Sequence, residues 1–111
     1  MTMNEILIQA LSPVGLPIYP DTYTGQDVEY LVFNFDATPI LFGDGKPVYL
    51  QYLIQVHLFA PHGIDAIAHR ESVVNSLFAA DFTYPAEENA SDEEGQHFVY
   101  ECKYLEYLGG V

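Results

Sequence analysis

Alternating apolar positions in residues 48–59 predict the longest strand of the chain. Every even position is apolar or aromatic, whereas the odd positions mix amides, an imidazole and large rings. A period of two that is rich in β-branched and aromatic residues is typical of a half-buried strand. Pro47 and Pro61 bracket the segment, as expected for a residue that cannot donate to a sheet ladder. We therefore expect a central strand with one face on helices and the other toward a partner or solvent.

The same kind of pattern predicts the remaining elements. The capping box from Thr2 to Glu5 predicts a helix near residues 3–12. A second helix is expected to start at the N-cap Asp65 and to reach residue 80, with one apolar face formed by Ile64, Ile67, Val74, Leu77 and Phe78. Further strands are predicted at 18–19, 28–36 and 97–108. The chain is thus expected to be a single α+β domain over residues 1–111, an antiparallel sheet of three to five strands with two helices packed on one face.

Two connections have unusual compositions. Residues 37–47 are predicted to be a loop, yet Ile40, Leu41 and Phe42 precede its Gly-Asp-Gly turn and need burial. These side chains either fold back onto their own sheet, the interpretation we favour, or dock onto another subunit. Residues 86–96 are predicted to be a mobile acidic loop, because they contain no large apolar residue and carry Glu87, Glu88, Asp92, Glu93 and Glu94.

The charge balance limits the partners. Sixteen acidic residues face only Lys46, Arg70 and Lys103, and the formal net charge is −13. Such a chain lacks the cations needed to bind nucleic acid through its phosphates, and anionic membranes should repel it. The acidity is explained by solubility, by a surface that must not adhere to DNA, or by imitation of DNA; composition favours solubility. The sequence shows neither a signal peptide nor a membrane span, which predicts a cytoplasmic protein.

No motif indicates catalysis. Asp65 and His69 could share a metal, but only His62 offers a third ligand, and an exposed charge pair is the favoured interpretation. Ser72 has no orienting partner for a triad, and Cys102 lies among strand aromatics, where a thiol is usually buried and inert. We therefore expect no enzyme, no catalytic or metal residues and no cofactor. Strand tyrosines such as Tyr49 suit a protein interface, although tyrosine is also common in antiparallel sheets.

The order of segments resembles that of a known family. An N-terminal helix precedes Leu16-Pro17-Ile18-Tyr19, a strand leads into Phe33-Asn34-Phe35, and a loop ends in Gly-Asp-Gly. The predicted strand over residues 48–59, a helix and the closing strand Tyr100-Glu101-Cys102-Lys103-Tyr104 follow. Over nearly its whole length the chain resembles the small tail-completion or tail-terminator proteins, which join head and tail, of long-tailed bacteriophages.

The resemblance implies a structural protein of virion assembly, made in the host cytoplasm and residing in the virion tail. It implies a homo-oligomeric ring, commonly a hexamer, that caps the tail tube and contacts the tube protein and the head–tail connector. DNA would pass through this ring without tight binding. On this basis we expect Ile40, Leu41, Phe42, Tyr49 and Gln51 to contact a neighbouring subunit or the tube, and the acidic residues of 86–96 to face the DNA lumen.

A competing hypothesis is an acidic DNA mimic that inhibits a DNA-binding protein. A mimic needs carboxylates spaced like phosphates along an exposed face. Five of the sixteen acidic residues lie in one predicted loop and the others are scattered, which argues against mimicry.

Overall fold

The computed structural model describes residues 1–22, 25 and 28–109. Its helices are α1 (Met3–Leu11) and α2 (Ile67–Ala79), with a short 3₁₀ turn over Ser12–Val14. Its strands are β1 (Ile18–Pro20), β2 (Tyr30–Gly43), β3 (Lys46–Ala60), β4 (Ala86–Asn89) and β5 (Gln96–Tyr107). These elements make an α+β fold, as the sequence predicts.

The five strands form one sheet in the order β1-β2-β3-β5-β4. Strand β3 is central, since it pairs antiparallel with β2 from Phe59 to Lys46 and with β5 from Ala60 to Tyr49. Strand β4 pairs antiparallel with β5, whereas β1 pairs in parallel with β2. The sheet is therefore mixed at one edge, because the chain returns from β1 through a long connection instead of a hairpin.

Both helices pack on the same face of the sheet. The core joins Leu7 and Leu11 of α1 and Val73 and Leu77 of α2 to inward-facing strand positions. Those positions are Leu31 and Phe33 on β2, Tyr52, Ile54, Val56 and Leu58 on β3, and Phe98, Tyr100 and Cys102 on β5. The alternation predicted for β3 and β5 is confirmed, because the register brings these side chains into adjacent rows on one face.

The first helix begins as its sequence predicts. The Thr2 hydroxyl accepts a hydrogen bond from the Glu5 amide at 3.2 Å, and the Thr2 amide donates to the Glu5 carboxylate at 2.9 Å. This reciprocal pairing satisfies two amides that the first helical turn leaves without partners.

The second helix buries only part of the predicted face, since Leu77 is in the core and Val74 packs against it. Ile67 and Phe78 are more than half exposed, whereas Ala66, Val73 and Leu77 are buried. Arg70 lies in the same row and places its guanidinium 4.1 Å above the Phe98 ring. The sequence reading was wrong here because it excluded Arg70, whose long stem covers apolar surface while its charged end remains accessible. Helix α2 begins at Ile67, and the Asp65 carboxylate accepts from the Ile67 amide at 3.0 Å.

The prediction of a loop over residues 37–47 is wrong. Strands β2 and β3 continue as an antiparallel pair to Gly43 and Lys46 and are joined by the two-residue turn Asp44-Gly45. Both turn residues have positive φ, 53° and 78°, as the tight turns that match strand twist require. We call residues 38–51 the arm. Ile40, Leu41 and Phe42 do not fold back onto the sheet, because they belong to an extended strand of the arm.

The prediction of a loop over residues 86–96 is wrong for its first part. Residues 86–89 form β4, every residue of which is exposed. Strand β4 has no apolar alternation, so its pairing with β5 depends on backbone hydrogen bonds and on contacts of Glu87 that composition does not reveal.

Candidate assembly surface

The arm projects beyond the helices and exposes large apolar side chains. The molecule measures 55 × 25 × 23 Å, and no residue of the arm is buried. Leu41 and Phe42 are each 64% exposed next to the turn. Pro39 fits this position, since the alternation of β2 directs its missing amide toward the open side of the strand. Monomeric proteins rarely expose an extended apolar hairpin of this kind. Such a hairpin is typical of a protein–protein contact.

The outer face of the sheet, opposite the helices, continues this apolar surface. Ile40 lies opposite Tyr49 and Tyr49 opposite Tyr107, so three side chains form one row across three strands. The rings of Tyr49 and Tyr107 have centroids 5.3 Å apart. Gln51 lies in the next row, opposite Leu105, which is 50% exposed. The structure thus brings together Ile40, Tyr49 and Gln51 on one face and leaves Leu41 and Phe42 at the tip.

The arm is electrically neutral in a strongly acidic chain. It contains one acidic residue, Asp44, and one basic residue, Lys46, so the net charge of −13 lies entirely outside it. Two copies of this chain repel each other most where their carboxylates approach. The arm is consequently a surface through which copies can associate with little electrostatic cost.

The predicted acidic site divides into two environments. Glu87 receives two hydrogen bonds from Arg70, at 2.7 and 3.2 Å, and one from the Tyr100 hydroxyl at 2.6 Å. The bonds from Arg70 lower the pKa of Glu87, whereas burial and the Glu87 bond raise that of Tyr100 far above its ordinary value. Glu87 therefore differs from the other predicted lumen residues, because its carboxylate holds α2 against β4 and β5.

The remaining acidic residues lie on the surface. Glu88 is exposed on β4, and Asp92, Glu93 and Glu94 are exposed in the connection to β5. The Asp92 carboxylate accepts from the Glu94 amide at 2.8 Å, and the Asp92 carbonyl lies 2.6 Å from the His62 ring. This part of the predicted acidic surface forms a structured turn beside the C-terminal end of β3.

Two histidines adjoin on the outer face, near the end of β3 that is far from the arm. Nδ1 of His57 lies 2.8 Å from Nε2 of His97, and the His97 ring stacks on Phe59 with centroids 4.3 Å apart. Burial lowers the pKa of both, and the charge of His97 lowers that of His57 further. The pair is thus neutral near neutral pH and shares one hydrogen bond between its rings.

Groups suited to chemistry remain separate in the described part of the chain. His69 pairs with Glu29 at 2.8 Å instead of joining Asp65 or His62 in a ligand set. Over residues 1–22, 25 and 28–109, no three His, Cys, Asp or Glu side chains form a cluster that could hold a metal ion. Cys102 is buried, and burial raises the pKa of its thiol to about 12. No helix within those residues is long and apolar enough to cross a membrane.

Sequence reasoning missed a second exposed apolar region. Ile67, Val74 and Tyr84 line a groove of about 590 Å³ between α2 and β4, with Glu71 and Glu87 at its polar side. We call it the α2 groove. Tyr84 is 68% exposed, and Phe78 lies beside it with ring centroids 5.4 Å apart. The sequence signal for this groove was that α2 has more apolar positions than one face can hold. A helix packed on one sheet buries one row of side chains and leaves the other row exposed.

Comparison with known proteins supports the fold. No family model matches the chain, and no curated protein matches it. One solved structure, labelled only by a sequence code, aligns over 96% of each chain with a TM-score of 0.58 and 15% identity. At that identity the likeness supports the α+β fold alone.

Proposed function

We propose that this protein is a structural subunit of phage or prophage assembly, a tail terminator or tail-completion protein that forms a ring at the head-proximal end of the tail tube. The observation that carries the proposal is the arm, a neutral hairpin that exposes large apolar side chains and contains no buried residue. Ring subunits need two different surfaces that are complementary to each other and whose contact closes by rotation. In this role the ring contacts the tube protein and the head–tail connector, in the host cytoplasm during assembly and later in the virion.

The charge distribution supports the same role. Carboxylates dominate the surface away from the arm, so a ring joined through arms keeps its acidic residues along its other faces. A channel lined by carboxylates repels DNA phosphates and lets the duplex slide without tight binding. Glu88, Asp92, Glu93 and Glu94 are the exposed candidates for such a lining.

The test is native mass spectrometry over a range of protein and salt concentrations, followed by electron microscopy of any assembly. We expect a closed ring of about six copies, favoured by salt because screening weakens repulsion between acidic subunits. Purified tail tubes should then bind the ring at one end. A chain that stays monomeric at all salt concentrations and leaves tube ends uncapped would contradict the proposal, and displacement of DNA from a DNA-binding protein would instead support mimicry.

A further inference from the structure

We propose that the α2 groove is the receptor for the arm of a second copy of this chain, so that Leu41 and Phe42 of one copy enter the groove of the next. This inference rests on the proposed function and specifies the contact through which copies join. It pairs two exposed apolar regions that the fold places on different parts of the same chain.

The two surfaces match in chemistry. The arm offers two large apolar side chains, each 64% exposed, and the groove offers Ile67 and Tyr84, which are 55% and 68% exposed. Burying four such side chains in one contact removes large exposed apolar groups beside the turn and along the groove from water. Aromatic and aliphatic anchors that fill an apolar groove are typical of the energetically dominant part of an interface.

The charges are also complementary. Lys46 at the turn is an exposed cation, and the groove carries the exposed carboxylate of Glu71, with Glu88 on the neighbouring strand. Arg70, the cation of the groove, is already paired with Glu87. An arm that carries Lys46 therefore approaches a negative rim, whereas any other face of this acidic chain would meet repulsion there.

Open strand edges lie beside both surfaces. Ala90 donates to His97 at 2.8 Å, so the alternation of β4 directs the amides and carbonyls of Glu87 and Asn89 away from β5. On β2, the pairing with β1 ends at Phe33, which leaves the edge of the arm uncovered by any described strand. Strand edges that lack a neighbour readily accept another strand, so the arm can gain backbone hydrogen bonds where it enters the groove.

One chain cannot satisfy its own groove. Glu87 aligns through Tyr100 with Val56 of β3, whereas Phe42 aligns with Pro47. Nine strand positions separate these levels, a distance of roughly 30 Å at about 3.4 Å per residue. The arm is a continuous hairpin that leads away from the groove, so the contact is between copies. It is also head-to-tail, because arm and groove are different surfaces, and such a contact gives a ring when the rotation between copies closes.

The experiment uses two full-length double variants that each lose one side of the contact. Leu41→Asp/Phe42→Asp removes the arm, and Ile67→Asp/Tyr84→Asp removes the groove; all four positions are exposed, so both proteins should fold. We expect each alone to self-associate at least about tenfold more weakly than the wild type. Mixed in equal amounts, they should form a dimer of twice the 12.5 kDa chain mass that does not grow further. Ile8→Asp/Val28→Asp, a matched change at exposed positions, should associate like the wild type.

The outcomes separate this inference from the proposed function. If the groove variant forms rings as the wild type does, the arm binds elsewhere, for example on the outer face at Leu105, and the inference is overturned while the ring remains. If the mixture gives the capped dimer but the wild type never closes into a ring, the contact stands and the proposed function fails. If neither the wild type nor the mixture of the two variants associates, both the inference and the proposed function are wrong. A charge exchange, Lys46→Glu with Glu71→Lys, should restore association that either change alone weakens about threefold.

Discussion

The same two strands build a core at one end and an open surface at the other. At one end, which we call the base, β2 and β3 pack against both helices. There, Phe33, Ile54 and Val56 are at most 1% exposed. In the arm, the same strands continue without any buried residue, and Leu41 and Phe42 are each 64% exposed. Both halves contain large apolar residues, so hydrophobicity alone does not distinguish them. The difference teaches that an apolar strand need not be buried within its own chain, and under the proposed function the exposed half is the part that a second copy covers.

The largest expected loss of stability comes from a substitution in the base. Phe33→Ala should destabilise the protein by about 3–5 kcal/mol, because it leaves a cavity where the ring packs against both layers. Phe42→Ala should change the free energy of unfolding by less than about 0.5 kcal/mol, because the ring is exposed in the isolated chain. Chemical denaturation of dilute protein measures both. Equal losses at the two positions would contradict the division between base and arm.

A second change tests how the groove is attached to the base. Arg70→Ala should cost about 1–2 kcal/mol through lost stacking on Phe98 and an unsupported Glu87–Tyr100 hydrogen bond. The ion pair itself is one-third exposed and contributes little after solvent screening. Thermal unfolding should show the loss, whereas Glu71→Ala on the next position should leave the midpoint nearly unchanged. A neutral Arg70→Ala would mean that α2 is held by its apolar row alone.

The histidine pair gives the stability of the base a dependence on pH. Burial holds the pKa of His57 and His97 below the ordinary 6.5, so the unfolded chain binds more protons between the two values. Stability is therefore full above about pH 7 and falls as pH drops through 6.5 toward the lowered pKa values. His97→Phe should reduce this loss in denaturation curves recorded from pH 7.5 to 5. The loss from Glu87, whose pKa is lowered from the ordinary 4.5, lies below this pH range and does not contribute to the measured slope. An unchanged slope in the variant would exclude the pair as its source.

The smallest expected change in stability separates folding from assembly within one residue. Leu41 has a φ of 54°, a left-handed conformation that branched side chains rarely adopt. Leu41→Gly should leave the isolated chain as stable as the wild type or stabilise it by up to about 1 kcal/mol, because glycine adopts this φ without strain. The same variant should weaken self-association, since it removes an anchor. Parallel denaturation and sedimentation measure the two effects, and a marked destabilisation would mean that Leu41 serves the fold.

The sequence was informative wherever one local rule determined the structure. The Thr2 capping box and the alternation of β3 and β5 predicted their elements because each depends on neighbouring residues or on one buried face. The arm was missed because residues 37–39 interrupt the alternation, although Asp44-Gly45 is a strong hairpin signal. The α2 row was misplaced because Arg70 takes an apolar role that depends on Phe98, 28 positions away in the chain.

The candidate site was predicted in part for the same reason. Ile40, Leu41 and Phe42 could be singled out because apolar residues beside a turn need a partner. Their joining with Tyr49 and Gln51 depends on the register of three strands. The pairing of Glu87 could not be predicted, because nothing local in the sequence indicates that Arg70 and Tyr100 both reach it. The α2 groove requires knowledge of which helix face the sheet leaves uncovered.

The central claim is that the arm serves assembly and the base serves folding. Sedimentation velocity of the wild type and of Leu41→Asp/Phe42→Asp, over the same concentrations and salt, tests it most directly when combined with unfolding of both at high dilution. We predict ring-sized particles for the wild type, monomers for the variant and matching unfolding curves. A variant that assembles like the wild type, or one that unfolds in the conditions where the wild type is stable, would contradict the claim.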